Sequence, residues 1–503
     1  MKDFWRYSII VVAAIVATCL FAGTGWFRGE SAYQVAVRTG FTGSEQDFIN
    51  WLRGDDGTPG EDGDALVAIV EAAYAQYLID NPEPEDYVDL LTFISQYFRG
   101  ETGNSTVQDA ANLTAQSAVS IKAEIKDGRG STATLAGSGV IYKLGYSGGA
   151  LNGDMYIITN YHVISNYSYA SGSGSTMKLW TAQKVEVSLY GMASVAFSAT
   201  VLGGSSQYDI AVLYVNGGSA VTKPAGDSRN VKTVIQSTAI RATDVCANLV
   251  PVLGAPVIAV GNPLDGGLSV NEGIISRTSE RIPMEDLANP SQTALYRVIR
   301  ISCGINPGNS GGGLFNNKGE LVGIIEARTF WNSTSKDYPV DNMAYAIPLD
   351  IAIRIANQIM ERFAADPSLV NASSAKSIAM QKPIYGIELS GTNWYTVYED
   401  NQITECEDVI VSALGTWDTL GAAYKPSTTN PNLTFKKDDI VKTMSYIPLQ
   451  YADEVNAEDY RITYDITRSY QVAEFLIECW RDEPVTYTVD RSGTTYTFTV
   501  VKA

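Results

Sequence analysis

The sequence predicts a mainly β protein built around two small antiparallel barrels. From about Ala118 to Ile347 it is a series of short β-rich runs split by Gly and Ser, for instance Lys184-Val185-Glu186-Val187-Ser188-Leu189 and Glu320-Leu321-Val322-Gly323-Ile324-Ile325. Such runs, bounded by turn residues, read as strands with a face in a core. Three segments centred on His162, Asp209 and Ser310 lie inside this stretch, far enough apart to leave room for two barrels. Leu349 to Phe363 then places Ile351, Ile355, Ile359 and Phe363 on one helical face and closes the unit. At roughly 150 residues per domain, the length allows about three domains.

The chain contains one histidine. It sits in Ile157-Ile158-Thr159-Asn160-Tyr161-His162-Val163-Ile164, ahead of Asn306-Pro307-Gly308-Asn309-Ser310-Gly311-Gly312. A serine hydroxyl is a poor nucleophile at neutral pH and needs a positioned base, a task that suits imidazole. Gln207-Tyr208-Asp209-Ile210-Ala211-Val212-Leu213 puts an acid at the head of an apolar strand, where it can be buried and aimed at that ring. A lone histidine in an apolar strand is usually a core residue, and a Gly-rich Ser turn is usually a loop. The three segments in the order His, Asp, Ser argue against both readings, because that is the chain order of the chymotrypsin-type triad.

Around these residues, Ala136-Gly137-Ser138-Gly139-Val140-Ile141, Val260-Gly261-Asn262-Pro263 and Tyr345-Ala346-Ile347-Pro348 are similar to the HtrA/Deg family of serine proteases. The resemblance covers roughly residues 110 to 360. It implies a trypsin-like double six-stranded β-barrel and a serine endopeptidase working through an acyl-enzyme. His162 would be the general base, Asp209 the orienting acid and Ser310 the nucleophile, with the backbone N–H groups of Gly308 and Ser310 as oxyanion donors. The glycines give the same expectation, since Cβ atoms would crowd two N–H groups converging on one developing charge. Asn309 precedes the nucleophile, so no carboxylate is available there to pair with a newly freed amino terminus. Ile301-Ser302-Cys303-Gly304-Ile305, the expected wall of the primary specificity pocket, carries no acid, which disfavours cleavage after Lys or Arg. Glu326 lies beside the expected substrate path, with its direction open.

A net charge of −19 argues against nucleic acid as a partner, because phosphate binding needs concentrated Lys and Arg. Much of the acid is local: Asp55 to Asp109 holds 13 acidic residues against one basic residue, Arg99. Between Arg6 and Arg28 lie 21 uncharged residues, enough to cross a bilayer core of roughly 30 Å. A cleaved signal peptide is the rival reading. Lys2 and Arg6 precede the span, so an uncleaved anchor would leave the amino terminus cytoplasmic and the catalytic domain extracellular, at the cell membrane. The expected organisation is residues 1–28 as tip and transmembrane helix, and 29–109 as an acidic helical stalk with a Gly-rich linker. Residues 110–365 would form the protease domain and 378–503 a PDZ-like domain.

That last unit rests on Pro383-Ile384-Tyr385-Gly386-Ile387, which resembles the PDZ loop whose amides hold a peptide carboxylate, here those of Tyr385, Gly386 and Ile387. Lys437-Asp438-Asp439-Ile440-Val441, a helix from Ser469 to Arg481, and strands Val485 to Val489 and Tyr496 to Val500 follow in PDZ-like order. A peptide would then add beside Asp408-Val409-Ile410-Val411, although Trp417 to Phe435 is an extra or altered segment. Cys246, Cys303, Cys406 and Cys479 allow disulfides, with Cys406–Cys479 fitting the PDZ reading, or free thiols. No cofactor fingerprint and no metal-ligand cluster is visible. The expected partners are unfolded or exported proteins, peptide termini and the membrane, with a homotrimer implied by the resemblance. A catalytically silent peptide-binding receptor and a self-processing factor are the alternatives.

Overall fold

The computed structural model describes residues 107–502 apart from 148–149, 190–194, 239, 247–250, 263–266, 292, 327–342, 372–374, 381–386, 400–401, 415–423, 427–432 and 480–482. The expected transmembrane segment and stalk lie outside the described residues, as do Tyr385 and Gly386. Among the described residues no helix is long and apolar enough to cross a membrane.

Helix α1 (Val107–Ala115) leads into the first barrel. Its strands are β1 (Ala118–Lys126), β2 (Thr132–Ser147) and β3 (Ala150–Thr159), a side hairpin of β4 (Ser165–Tyr169) and β5 (Met177–Thr181), then β6 (Lys184–Leu189), β7 (Phe197–Ser205) and β8 (Ile210–Val215). The order β6-β1-β2-β3-β8-β7 closes through pairing of β7 with β6 and β8. Alternation does the folding: in β1, Val119, Ile121, Ala123 and Ile125 are buried while Lys122 and Lys126 are exposed. They meet Ile157, Leu213 and Phe197 in the barrel interior.

The stretch Asn166 to Thr176, whose composition reads as a mobile loop, is in part the β4–β5 hairpin. The Trp180 indole donates to the Tyr169 carbonyl at 3.2 Å, and the Arg129 guanidinium lies over the Tyr169 ring. Aromatic packing thus orders a segment whose Ser and Gly content argued for freedom.

A short helix α2 (Val231–Gln236), capped by the Asn230 side chain, precedes the second barrel. Its strands are β9 (Asp244–Val245), β10 (Pro256–Gly261), β11 (Ser269–Glu285), β12 (Thr293–Ile301), β13 (Gly313–Asn316), β14 (Glu320–Glu326) and β15 (Ala344–Pro348). The order β13-β10-β11-β12-β15-β14 closes because β13 also pairs with β14. Helix α3 (Leu349–Ala365) buries Ile351, Ile355 and Ile359, as its periodicity predicts. It packs in the core shared by both barrels, which includes Ile158, Val260 and Phe315. Strand β16 (Ile378–Ala379) then adds in parallel to β7.

The carboxyl-terminal sheet contains β17 (Ile387–Glu399), β18 (Gln402–Leu414), β19 (Tyr424–Pro426), β20 (Ile440–Tyr446), β21 (Ile462–Asp465), β22 (Val485–Arg491) and β23 (Thr494–Lys502), with helix α4 (Ser469–Phe475) before β22. Its order is β17-β18-β20-β22-β23-β19, over a core of Val409, Val441, Phe475 and Tyr487. Two expectations are corrected here. Asp408 to Val411 belongs to β18, which is flanked by β17 and β20, so among the described residues β17 is the edge strand. Helix α4 stops at Phe475, before the expected Arg481, because Leu476 to Cys479 turn tightly, with Ile477 and Glu478 N–H groups bonded three residues back. Within the altered segment Trp417 to Phe435, Tyr424–Pro426 pairs with β23. All four described cysteines are free thiols, so the disulfide alternative does not hold in this structure.

Candidate active site

His162 follows β3 in a single 3-10 turn, Tyr161–Ile164, whose Val163 and Ile164 are buried. The turn is pinned on both sides by Asp209. The Asp209 carbonyl accepts the Tyr161 N–H at 3.2 Å and the Asn160 side-chain amide at 2.9 Å. Its carboxylate accepts the His162 backbone N–H at 2.8 Å through Oδ1 and lies 2.6 Å from His162 Nδ1 through Oδ2. Asp209 is fully buried and adopts φ 54°, a left-handed conformation that Asp tolerates better than most residues. One residue thereby orients the ring through the side chain and the preceding turn through the backbone. Asn160 is a site residue that sequence reading missed, although it stands two positions before the histidine.

Ser310 sits in the connection between β12 and β13 of the second barrel. Asn306-Pro307-Gly308-Asn309 is a hydrogen-bonded turn, Asn309 N–H to Asn306 carbonyl at 3.0 Å, with Gly308 at φ 100°. Proline then glycine in the central positions suits a type II turn, which needs positive φ at the second of them. Asn309, expected to offer no ion pair, is buried against Gly261.

The turn is stitched to the first barrel through Ser138. The Ser138 hydroxyl donates to the Gly308 carbonyl and accepts the Asn262 N–H, both at 2.7 Å. Its backbone N–H donates to the Ser310 carbonyl at 2.8 Å, and its carbonyl accepts the Thr159 hydroxyl at 2.7 Å. A Cβ on Gly311 would stand 2.2 Å from both Ser138 O and Thr159 Oγ1, which is why that position is glycine.

Glu326 ends β14 and is buried, with Oε2 3.8 Å from His162 Nδ1. Its carboxyl therefore faces the imidazole rather than the floor of a specificity pocket. Cys303, in the uncharged wall, is buried, and burial pushes its thiol pKa up to about 11. His162, Asp209 and Glu326 each place a donor atom within 4.8 Å of the others. Of the expected carboxylate-binding loop, Ile387 alone is described, as the first residue of β17.

The two barrels and the turns between their strands have a trypsin-like arrangement, and the model of the trypsin-like peptidase domain matches residues 137–324. The chain is similar to serine proteases of the HtrA type. It is 29% identical over 269 residues to the serine protease Do-like HtrA of Lactococcus lactis subsp. cremoris, covering 53% of this chain and 50% of that protein. With the serine protease Do-like HtrA of Bacillus subtilis it shares 33% identity over 256 residues, 50% of this chain and 45% of that one. The chain thus spans about half the length of the curated relatives it matches. A solved HtrA-type protease, AlgW with a decapeptide, aligns over 79% of this chain and 98% of its own at 17% identity and a TM-score of 0.43.

Proposed function

We propose that the protein is a serine endopeptidase in which His162, Asp209 and Ser310 act as one unit. The observation that carries this reading is the 2.6 Å contact of Asp209 Oδ2 with His162 Nδ1, made by a carboxylate that also grips the backbone of the same turn. Asp209 holds the proton on Nδ1 and leaves Nε2 as the base. Nε2 takes the Ser310 proton as Oγ attacks the substrate carbonyl, then returns it to the leaving amine, giving an acyl-enzyme that water hydrolyses. The N–H groups of Gly308 and Ser310 receive the developing oxyanion.

Cleavage after small or medium apolar residues fits the uncharged 301–305 wall, and Glu326, turned toward His162, gives no reason for a basic preference. Peptide-library profiling checks this, and a dominant Lys or Arg preference contradicts it. Unfolded or exported proteins are the proposed substrates, with the chain anchored in the cell membrane by the segment between Arg6 and Arg28 and the catalytic domain outside. Peptide termini would be held at Tyr385, Gly386 and Ile387 and extend beside the edge strand β17 rather than β18; a trimeric assembly is part of the same proposal.

Labelling of the full-length chain by an active-site fluorophosphonate, lost in Ser310→Ala, tests the enzyme reading. A wild-type chain that takes no label while binding carboxyl-terminal peptides would instead be a silent receptor.

A further inference from the structure

We propose that Glu326 is a fourth member of the catalytic array, a positioning residue that presents a second buried carboxyl group to the Nδ1 side of His162. The inference rests on the serine-protease reading and concerns a residue that this mechanism does not require. Three observations support it. Glu326 Oε2 is 3.8 Å from Nδ1, and donor atoms of His162, Asp209 and Glu326 lie mutually within 4.8 Å. The side chain is 1% exposed, so its carboxyl has been brought out of water to this place. Its backbone is tied to the nucleophile turn, because Ile325 accepts the Gly311 N–H at 3.0 Å and donates to the Gly312 carbonyl at 2.8 Å. Glu326 also faces Tyr345 across the β14–β15 pair. The strand that carries Glu326 and the turn that carries Ser310 are one hydrogen-bonded piece.

Two buried carboxyl groups at this separation cannot both ionise beside a neutral imidazole without a large penalty. A protonated ring between them relieves that penalty, because it gives each carboxylate an opposite charge. When the Ser310 O–H bond breaks and its proton forms a new N–H bond at Nε2, the positive charge on the ring faces Asp209 and Glu326 together. The Nδ1 proton stays on the ring, donated to Asp209, with Glu326 as the alternative acceptor beside it.

A diagnostic consequence follows. An asparagine at 209 can turn its amide N–H₂ toward Nδ1 and oppose the productive tautomer. An alanine there leaves room for Glu326 to approach. Asp209→Ala should thus retain more activity than Asp209→Asn, the reverse of what steric conservatism predicts.

The test compares kcat and KM of the full-length protein on one apolar peptide substrate, and the imidazole N–H proton resonance, which is unambiguous in a chain with one histidine. Glu326→Gln is expected to lower kcat about tenfold with KM within about twofold, and to move the Nδ1 proton resonance. Asp209→Ala should exceed Asp209→Asn by about tenfold, and that gap should close in the Glu326→Gln background. Glu326→Asp should recover part of the kcat lost in Glu326→Ala; equal loss in both would mean that the side chain only fills space. Wild-type kcat with an unmoved resonance in Glu326→Gln, or a gap between the 209 variants that persists without Glu326, overturns the proposal. Failure of the underlying mechanism would look different: wild type would resist fluorophosphonate, or Ser310→Ala would still cleave.

Discussion

Two seams hold this molecule together, and they are built from opposite chemistry. Between the barrels, Ser138 makes short hydrogen bonds with neutral partners, chiefly backbone groups at Gly308, Ser310 and Asn262. Between the second barrel with α3 and the carboxyl-terminal unit, ion pairs stand out beside neutral contacts such as Ser279 with Tyr470. Arg297 on β12 pairs with Glu474 on α4 at 2.8 Å and with Asp350 on α3 at 2.5 Å, and Arg354 pairs with Glu478 at 2.6 Å. Neutral bonds to backbone depend little on pH and hold one geometry. Buried ion pairs are strong only while charge and partner are both present, because each ion has lost its hydration. The first seam suits a site that must be held to fractions of an ångström, and the second suits a contact that can be adjusted.

Four experiments can break or sharpen that contrast. The largest effect is expected at the site held by the first seam: Ser310→Ala and His162→Ala should each lower casein turnover by about 10⁶ while circular dichroism stays that of the wild type. Asp209→Asn should cost about 10⁴ in kcat through the wrong imidazole tautomer, checked with the same substrate. Ser138→Ala removes the hydroxyl that joins Gly308 and Asn262. It should lower stability by about 1–3 kcal/mol in denaturant unfolding and reduce kcat more than it raises KM. An unchanged kcat in that variant would show that the turn holds itself.

The smallest effect belongs to the charged seam. Burial outweighs the attraction of Arg297 and pushes Glu474 up from 4.5 to about 7. A carboxyl raised in the folded state favours folding below its unfolded pKa, and that contribution is lost as pH rises through the folded value. Over pH 4.5 to 7 this group alone should therefore lower the melting temperature as pH rises, and Glu474→Gln should remove that part of the slope. Parallel curves for the two proteins would show that folding does not raise the Glu474 carboxyl.

The proposed triad could be picked out from the sequence because its residue types are few and ordered: one histidine, one acid at the head of an apolar strand, one serine among glycines. Its supports were less so. Ser138 stands in Ala136-Gly137-Ser138-Gly139-Val140-Ile141, yet its role appears only when β2 lies against the Gly308 turn, a contact between residues far apart in sequence. The direction of Glu326 depends on the register of β14 against Gly311 and Gly312, which no local pattern specifies. The β4–β5 hairpin was hidden by composition, since Ser and Gly dominate its turn while Tyr169 and Trp180 do the ordering. Placing the peptide beside β18 counted strands in sequence, whereas the sheet order puts β17 outside.

That edge position has a consequence for how the protein behaves at high concentration. A 13-residue strand that has no partner on one side among the described residues, bearing exposed Trp394, Tyr395 and Tyr398, is a template for another copy of itself. The pairing of β17 with β18 slips between Glu388 and Leu389 and again between Thr392 and Tyr395. Such bulges bend and twist an edge, so a flat partner strand finds only short stretches in register. The same irregularities that would limit a guest peptide to a few residues thereby guard the chain against open-ended stacking.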